Sequence, residues 1–306
     1  MRIRRGFVFG LVALSMIAAA CGQETEQPGG ITKEGPEITI GSAPFTESVL
    51  LAEIYSQGLE AKGYDTSTNL RIGQRPVYFP ELVNGNIDLF PEYIGSLVSY
   101  KTQEEVTASS DTDEALAQLA GVLDDELVAL EPSAAEDKDG IVANKETAEE
   151  FELQKVSDLQ PHASELVFGA PENCPERRPC LGGLKDVYGI EFKEFRPISP
   201  EGPQTVDLLK ANEIQVANLF TTNPQINVNG FVLLDDDQGI SGSENIIPVV
   251  RKEIVDEYGD EFETDVNAIS AKLTTEGLTE LIKRVEVDQE DAEDVAADWL
   301  QANGLD

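Results

Sequence analysis

The side chains of this chain that could do chemistry are mostly carboxylates, with 58 Asp and Glu against 22 Lys and Arg, one histidine and three cysteines. A serine hydrolase needs a histidine base. The single one, His162, lies in a Pro-His-Ala segment typical of a loop, and the sequence has no Gly-x-Ser-x-Gly motif. Glycine-rich phosphate-binding motifs are also missing. Among so many acids, the paired carboxylates of glycosidases arise by chance. We therefore predict a protein that is not an enzyme and has no cofactor or metal.

Two of the three cysteines, Cys174 and Cys180, bracket the sequence Pro-Glu-Arg-Arg-Pro. Outside the cytoplasm, two cysteines this close are expected to form a disulfide. A zinc site is the alternative, but it needs two further ligands and His162 is the only histidine. We predict the disulfide.

The third cysteine, Cys21, follows a segment typical of exported proteins. Three arginines within the first five residues precede an apolar run from Gly6 to Ala20. This run is too short to span a bilayer as a permanent helix. The Ala-Ala-Ala-Cys junction resembles the lipobox of bacterial lipoproteins, in which the cysteine is lipidated, whereas an ordinary cleaved signal would leave Cys21 incidental. We predict a signal peptide over residues 1–20, lipidation of Cys21, and a flexible tether over residues 21–36.

The formal net charge of −36 limits the partners of this protein. Nucleic-acid binding depends on Lys and Arg that neutralise phosphates, so the acid excess excludes a nucleic-acid partner. The same excess keeps an exposed protein soluble.

Strand-like and helical segments alternate along the chain, which is typical of an α/β fold. Ile38 to Ile40 is a predicted strand, followed by a helix from Thr46 to Ala61 with Thr46 as its N-cap, and by a strand from Thr68 to Ile72. Pro203 begins a later predicted helix. A second set of predicted strands begins at Gly140 and comprises Ile141 to Ala143, Leu166 to Phe168, Phe192 to Phe195 and Gln215 to Leu219.

The last segment of the chain adds a strand from Ile246 to Val250 and terminal helices, with Thr275 and Asp288 as predicted N-caps and Gly304 as a terminator. In the simplest arrangement the chain leaves a first domain near Asp137 and returns near Glu244. Domain I then comprises residues 37–136 plus 245–306, and domain II residues 137–244. Two crossings form a hinge, and clefts between such domains bind small ligands.

From Ile38 onward, the sequence resembles the substrate-binding proteins of osmoprotectant ABC importers, the family that binds glycine betaine, choline, carnitine and proline betaine. The resemblance implies a type II periplasmic-binding fold and a partnership with a membrane permease and ATPase. Its blocks, in order, are Gly41 to Ser48, Ile87 to Ser96, Phe168 to Pro171 with Tyr188-Gly189, and Leu219 to Pro224 with Asn229 to Phe231.

The resemblance also implies a ligand site. A trimethylammonium group has no hydrogen to donate, so aromatic faces must hold it. The family pattern places such rings at Tyr93 and Phe220, for which the alternative is a core aromatic. It places a carboxylate-binding guanidinium at Arg177, in a loop that the Cys174 to Cys180 disulfide would stiffen, and a helping hydroxyl at Ser96. A surface arginine and a loop serine are the alternatives. We also place Thr46, from the first block, in this site.

Several residues depart from the family pattern. Ala43 stands where some members have a lysine, and Asp139 and Glu244 fall near positions that carry tyrosines in some members. A slip of one or two residues would bring Tyr78 or Phe79 into the aromatic cage. If Asp139 and Glu244 line the cleft, their charge favours cationic choline over zwitterionic glycine betaine, unless Arg177 neutralises one of them.

Together these features predict an extracytoplasmic, lipid-anchored, two-domain binding protein. Its ligand would be glycine betaine, choline, carnitine or a related quaternary ammonium osmoprotectant, delivered to an ABC permease and ATPase. The alternative is a binding protein for another small cation or zwitterion, such as an amino acid, a polyamine or a thiol-histidine betaine.

Overall fold

Ten short strands form two separate five-stranded sheets in residues 32–103, 105–198 and 203–306, the part of the chain that the computed structural model describes. These residues belong to one structural unit, Ile31–Asp306. The predicted signal peptide and Cys21 lie outside the described residues. The strands are β1 Ile38–Gly41, β2 Thr66–Asn69, β3 Leu89–Tyr93, β4 Leu127–Ala129, β5 Asp139–Ala143, β6 Val167–Ala170, β7 Glu194–Pro197, β8 Val216–Phe220, β9 Val232–Leu234 and β10 Ile246–Arg251.

Helices flank both sheets, so the α/β prediction is confirmed. No helix in the described part of the chain is long and apolar enough to cross a membrane. The α-helices are α1 Thr46–Ala61, α2 Arg75–Asn84, α3 Ile94–Lys101, α4 Thr112–Ala120, α5 Lys145–Glu150, α6 Gly183–Asp186, α7 Pro203–Lys210, α8 Gln225–Asn229, α9 Lys252–Tyr258, α10 Asp260–Ser270, α11 Thr275–Glu286 and α12 Ala292–Asn303.

The two sheets have the same arrangement of parallel and antiparallel strands. The first has the order β2-β1-β3-β10-β4, and the second has the order β7-β6-β8-β5-β9. In each sheet three strands are parallel, and one antiparallel strand, β10 or β5, joins them to the edge strand. The antiparallel strand in each case directly follows a connection between the sheets, and the first sheet combines strands from before and after the second one, whereas the second sheet is one continuous chain segment.

The chain passes from the first sheet to the second after β4 and returns at β10. The two connections run side by side, because Glu136 and Asn245 form an antiparallel bridge and the Asp137 N–H donates to the Glu244 carbonyl at 3.2 Å. The domain bounds themselves, residues 37–136 plus 245–306 and residues 137–244, stay a prediction. Such a paired connection is a narrow joint between two lobes with separate cores.

Helix α1 illustrates how the sequence specifies its packing. Its predicted bounds, Thr46 to Ala61, are those of the structure, but its N-cap is Phe45 rather than Thr46. Leucine, isoleucine and tyrosine side chains on one face are fully buried in the core of the first sheet. At Gly58 a Cβ atom would lie 2.8 Å from Ile269 Cδ1, so a larger residue would require the Ile269 side chain on α10 to shift.

Two helix starts near the C-terminus differ from the prediction. Thr274, not Thr275, caps α11 by accepting from the Gly277 N–H, and Asp291, not Asp288, caps α12 by accepting from the Glu293 N–H. Capping depends on which side-chain oxygen reaches a free N–H, and several nearby acids and threonines have the right residue type. Gly304 ends α12 with φ 69°, as predicted.

Candidate functional site

A cavity of about 450 Å³ lies between the lobes, near the paired connections. This volume is within the range of about 300 to 1,000 Å³ typical of small-molecule sites. The residues that line it are Ala43, Pro44, Phe45, Thr46, Glu47, Gln74, Arg75, Tyr78, Tyr93, Ser96, Asp137, Phe220, Thr222, Asn223, Pro224, Ile282 and Glu286. The first lobe contributes the start of α1, α2, the end of β3 and α11. The second contributes the end of β8 and the residues after it.

Aromatic rings from both lobes face the cavity. Tyr93, at the end of β3, and Phe220, at the end of β8, both line it, as does Phe45. The ring centroids of Phe45 and Tyr93 are 6.4 Å apart with planes 35° apart. Phe45 is not among the residues predicted from the sequence, although it directly precedes Thr46 in the first family block. Rings that are presented this way suit a cation without hydrogen-bond donors.

The two aromatic residues of helix α2 point in different directions. Tyr78 lines the cavity and stacks on Phe90 with ring centroids 3.8 Å apart. Phe79, the next residue, is 3% exposed, packs edge-on against Tyr100 and is absent from the cavity lining. Consecutive helical residues point about 100° apart, so one of the pair faces the cavity and the other the core.

Arg177 and Asp139 are paired with each other and do not line this cavity. Arg177 donates to Asp139 through Nη1, at 3.3 Å, and through Nη2. Asp139 is also the strand partner of Phe220, so the ion pair lies one strand away from a lining ring. Two of the N–H donors of Arg177 are thus directed at Asp139, whose carboxylate balances the guanidinium charge.

Cys174 and Cys180 form the predicted disulfide, with their Cα atoms 5.3 Å apart. Both are fully buried, and the Leu181 N–H lies 3.2 Å from Cys174 Sγ. The zinc alternative is therefore wrong, because each sulfur is bonded to the other. The disulfide closes the loop that carries Arg177.

Ser96 and Glu244 are hydrogen-bonded to each other beside the paired connections between the lobes. Glu244 accepts from the Ser96 N–H at 3.0 Å and from its hydroxyl at 3.2 Å, while Ser96 lines the cavity and Glu244 does not. Burial raises the pKa of Glu244 to about 7, and the hydrogen bonds from Ser96 only partly oppose this. The carboxyl group therefore titrates near neutral pH.

The substitution Glu244→Gln is expected to help stability increasingly as the pH rises. A raised pKa means that the carboxyl favours the folded state fully below about 4.5, and that this contribution is lost as the pH rises through about 7. Since the side chain is partly exposed, we expect the free energy of unfolding of Glu244→Gln minus wild type to increase by about 1 to 2 kcal/mol between about pH 5 and pH 8. Urea unfolding of both proteins measures it. A difference that does not change with pH would contradict the titration.

The acids that face the cavity are not those that the sequence pointed to. Glu47, in the first turn of α1, is 4% exposed, and its Oε1 accepts from the Tyr93 hydroxyl at 2.5 Å. Asp137, on the first connection, accepts from the Thr222 N–H at 3.2 Å and from the Thr222 hydroxyl at 2.9 Å. Glu286, at the end of α11, is exposed. Burial raises the pKa of both Glu47 and Asp137, and the charge of Glu47 raises that of Asp137 further.

Arg75 is the one cationic side chain among the described residues that line the cavity. Its Nε and Nη2 bind the fully buried carboxylate of Glu92, with a shortest distance of 2.9 Å. Glu92 also accepts from the Tyr78 hydroxyl at 2.7 Å. The charge of Arg75 is therefore largely balanced within the protein.

The arrangement is suited to binding rather than to nucleophilic chemistry. His162, the only histidine, stacks on Phe151 with ring centroids 4.1 Å apart and does not line the cavity. In the described part of the chain, no group of three or more His, Cys, Asp or Glu could hold a metal ion. The cavity instead offers aromatic faces and the carboxyl groups of buried Glu47 and half-buried Asp137, which together attract an organic cation.

Several known transport proteins are similar to this chain in sequence. The glycine betaine-binding protein YehZ of Escherichia coli is 27% identical over 87% of this chain and 90% of its own length. An ergothioneine transport permease and binding protein, EgtU of Helicobacter pylori, is 25% identical over 91% of this chain and 49% of its own length. The carnitine transport binding protein OpuCC of Listeria monocytogenes is 25% identical over 90% of this chain and 89% of its own length.

Solved structures agree on the architecture. The crystal structure of a glycine betaine/carnitine/choline ABC transporter has a TM-score of 0.79 and 19% identity, and it covers 89% of this chain and 99% of that one. The crystal structure of lactococcal OpuAC complexed with glycine betaine has a TM-score of 0.59 and 15% identity, and it covers 88% of this chain and 97% of that one. Both structures confirm the type II periplasmic-binding fold that the resemblance implies. Residues 36–302 match the substrate binding domain of ABC-type glycine betaine transport systems, and the chain belongs to that family.

Proposed function

We propose that this chain is the extracytoplasmic solute-binding protein of an ABC importer and that its cavity binds a quaternary ammonium compound such as glycine betaine, choline or carnitine. The observation that carries this proposal is the placement of Tyr93 and Phe220, from opposite lobes, on one cavity of about 450 Å³. Each ring face contributes about 0.5 to 2 kcal/mol to the binding of a desolvated cation. A single ring would not suffice, and two rings on different lobes bind best when the lobes close.

Closure follows from the two-crossing joint. Domain I, residues 37–136 plus 245–306, carries Tyr93, and domain II, residues 137–244, carries Phe220. A ligand that contacts both rings has a higher affinity for the closed form, so it shifts the lobes toward closure. The closed, loaded protein is then the form that a membrane permease and its ATPase receive. No step requires bond making or breaking.

A thiol-histidine betaine is the second candidate ligand. The Helicobacter pylori relative that is named for ergothioneine supports it, and such a ligand also carries a trimethylammonium group. The aromatic rings suit it equally, so the choice between the candidates depends on the rest of the cavity.

Titration calorimetry of the purified protein tests the proposal. Glycine betaine, choline, carnitine and a thiol-histidine betaine are the ligands, with an amino acid and a polyamine as comparison compounds. We expect at least one quaternary amine to bind more tightly than both comparison compounds. If none of the four binds and the amino acid or polyamine does, the proposed ligand class is wrong.

The anchor prediction concerns Cys21, which lies outside the described residues. We expect wild-type protein to fractionate with membranes through a lipid on Cys21, and Cys21→Ser to move the protein into the soluble fraction, because a lipidated cysteine is needed for anchoring. Mass spectrometry of the mature N-terminus measures the modification. Wild-type protein that is wholly soluble and unmodified would rule out the anchor.

A further inference from the structure

We propose, building on the proposed function, that Glu47 and Asp137 form an anionic subsite that makes the cavity selective for organic cations without a carboxylate. Choline would then bind in preference to glycine betaine, which has the same trimethylammonium group but also carries a negative charge.

The geometry brings these two acids together from distant parts of the chain. Both line the cavity, Glu47 from α1 and Asp137 from the first connection between the lobes. Thr222, which is 3% exposed, donates its N–H and its hydroxyl to Asp137 Oδ1. The Tyr93 hydroxyl donates to Glu47 Oε1. One lobe thus supplies the tyrosine and Glu47, and the other supplies the threonine that holds Asp137.

Glu47 has an unused acceptor in this arrangement. Its Oε2 is buried and has no hydrogen-bond partner in the described part of the chain. The hydroxyl of Thr222 carries only one proton, which it directs to Asp137, so it cannot also satisfy Glu47. A buried carboxylate oxygen without a partner is unfavourable. A ligand that brings positive charge or a hydroxyl donor into the cavity removes this cost.

None of the described residues that line the cavity offers an unpaired positive charge to a ligand carboxylate. Arg75, the one cation among the described lining residues, is bound to Glu92. Arg177, which the resemblance assigns to a carboxylate, is bound to Asp139 outside the lining. A zwitterion would therefore bring its carboxylate toward acids, whereas a simple cation would not.

The electrostatic surroundings of the pair make its charge depend on pH. Tyr93 faces Glu47 from β3, and exposed Glu286 lies nearby on α11. The charge of Glu244 adds to the effect of burial and raises the pKa of Asp137, whereas the hydrogen bonds from Thr222 lower it. Farther from the pair, Arg75 and Tyr78 both donate hydrogen bonds to Glu92. Burial raises the pKa of both acids, and a cation bound beside them would favour their charged forms, so we expect cation binding to release protons. Cation affinity should therefore increase with pH.

The test is titration calorimetry of choline, glycine betaine and 3,3-dimethylbutan-1-ol, the uncharged analogue of choline. The proteins are wild type, Glu47→Gln, Asp137→Asn and the control Glu53→Gln, which removes one carboxylate from the same helix outside the cavity. We expect wild type and the control to bind choline at least about tenfold more tightly than either other compound. Each cavity variant should reduce both ratios by about tenfold. Choline titrations in two buffers of different ionisation enthalpy should show proton release in wild type and less in the cavity variants.

The outcomes separate this inference from the proposed function. Equal affinity of wild type for choline and glycine betaine, or an equal loss for both ligands in Glu47→Gln, overturns the inference and leaves the function standing. If no quaternary amine binds, the function fails and the inference with it. Circular dichroism reports whether each variant is folded, and the wild-type ratios decide the question even if both cavity variants unfold.

Discussion

Replacing Tyr93 with alanine is expected to weaken the binding of a quaternary ammonium ligand by about tenfold, and Phe220→Ala should have an effect of the same size. Each substitution removes one ring face from the cavity. Because the rings come from different lobes, the double variant should lose about a hundredfold if the two effects are additive. Titration calorimetry with the tightest-binding quaternary amine provides the measurement.

Two controls make this experiment specific. Tyr93→Phe keeps the ring but removes the hydroxyl that binds Glu47, so it separates the aromatic contact from the hydrogen bond. Phe79→Leu changes a neighbouring aromatic residue that is buried in the core and outside the lining, so its affinity should remain near that of wild type. Wild-type affinity in both Tyr93→Ala and Phe220→Ala would contradict the aromatic site.

Removing the disulfide by substituting serine for both Cys174 and Cys180 is expected to lower the free energy of unfolding by about 2 kcal/mol. The crosslink closes a short loop, with a sequence separation of 6, and so removes a modest amount of entropy from the unfolded chain. For a protein of this size we expect Tm to fall by about 5 °C. Thermal unfolding followed by circular dichroism measures the change.

Reduction of the wild-type protein is the matched control for that variant. A reductant should lower the Tm of wild type toward that of the double variant and leave the variant unchanged. Before reduction, alkylation should detect no free thiol at either position. Full alkylation of both cysteines without a reductant would contradict the disulfide.

Local sequence patterns anticipated much of the fold because they reflect short-range physics. The bounds of α1 follow from its own side chains and a glycine after its last turn. The strand predicted over Thr68 to Ile72 lies instead at Thr66–Asn69, because its position is set by pairing with β1, where Ile38 is opposite Thr66. Pairing partners are distant in sequence, so single-chain periodicity does not locate them.

The residues of the site also differ in whether the sequence suggested them. Four of the residues that the family resemblance suggested, Tyr93, Phe220, Ser96 and Thr46, line the cavity, and their roles in binding stay a prediction. Phe45 also lies within a family block and lines the cavity, but it is not among the predicted site residues.

Residue type and order therefore determined the α/β class and the disulfide, because both depend on residues that are close in sequence, whereas the rings were predicted from the family resemblance. The folded chain alone decided which charges are balanced. Arg177 pairs with Asp139 across 38 residues, and Glu47 and Asp137 become neighbours only where the lobes meet. The charge that a ligand encounters depends on distance and burial, and both are properties of the tertiary structure.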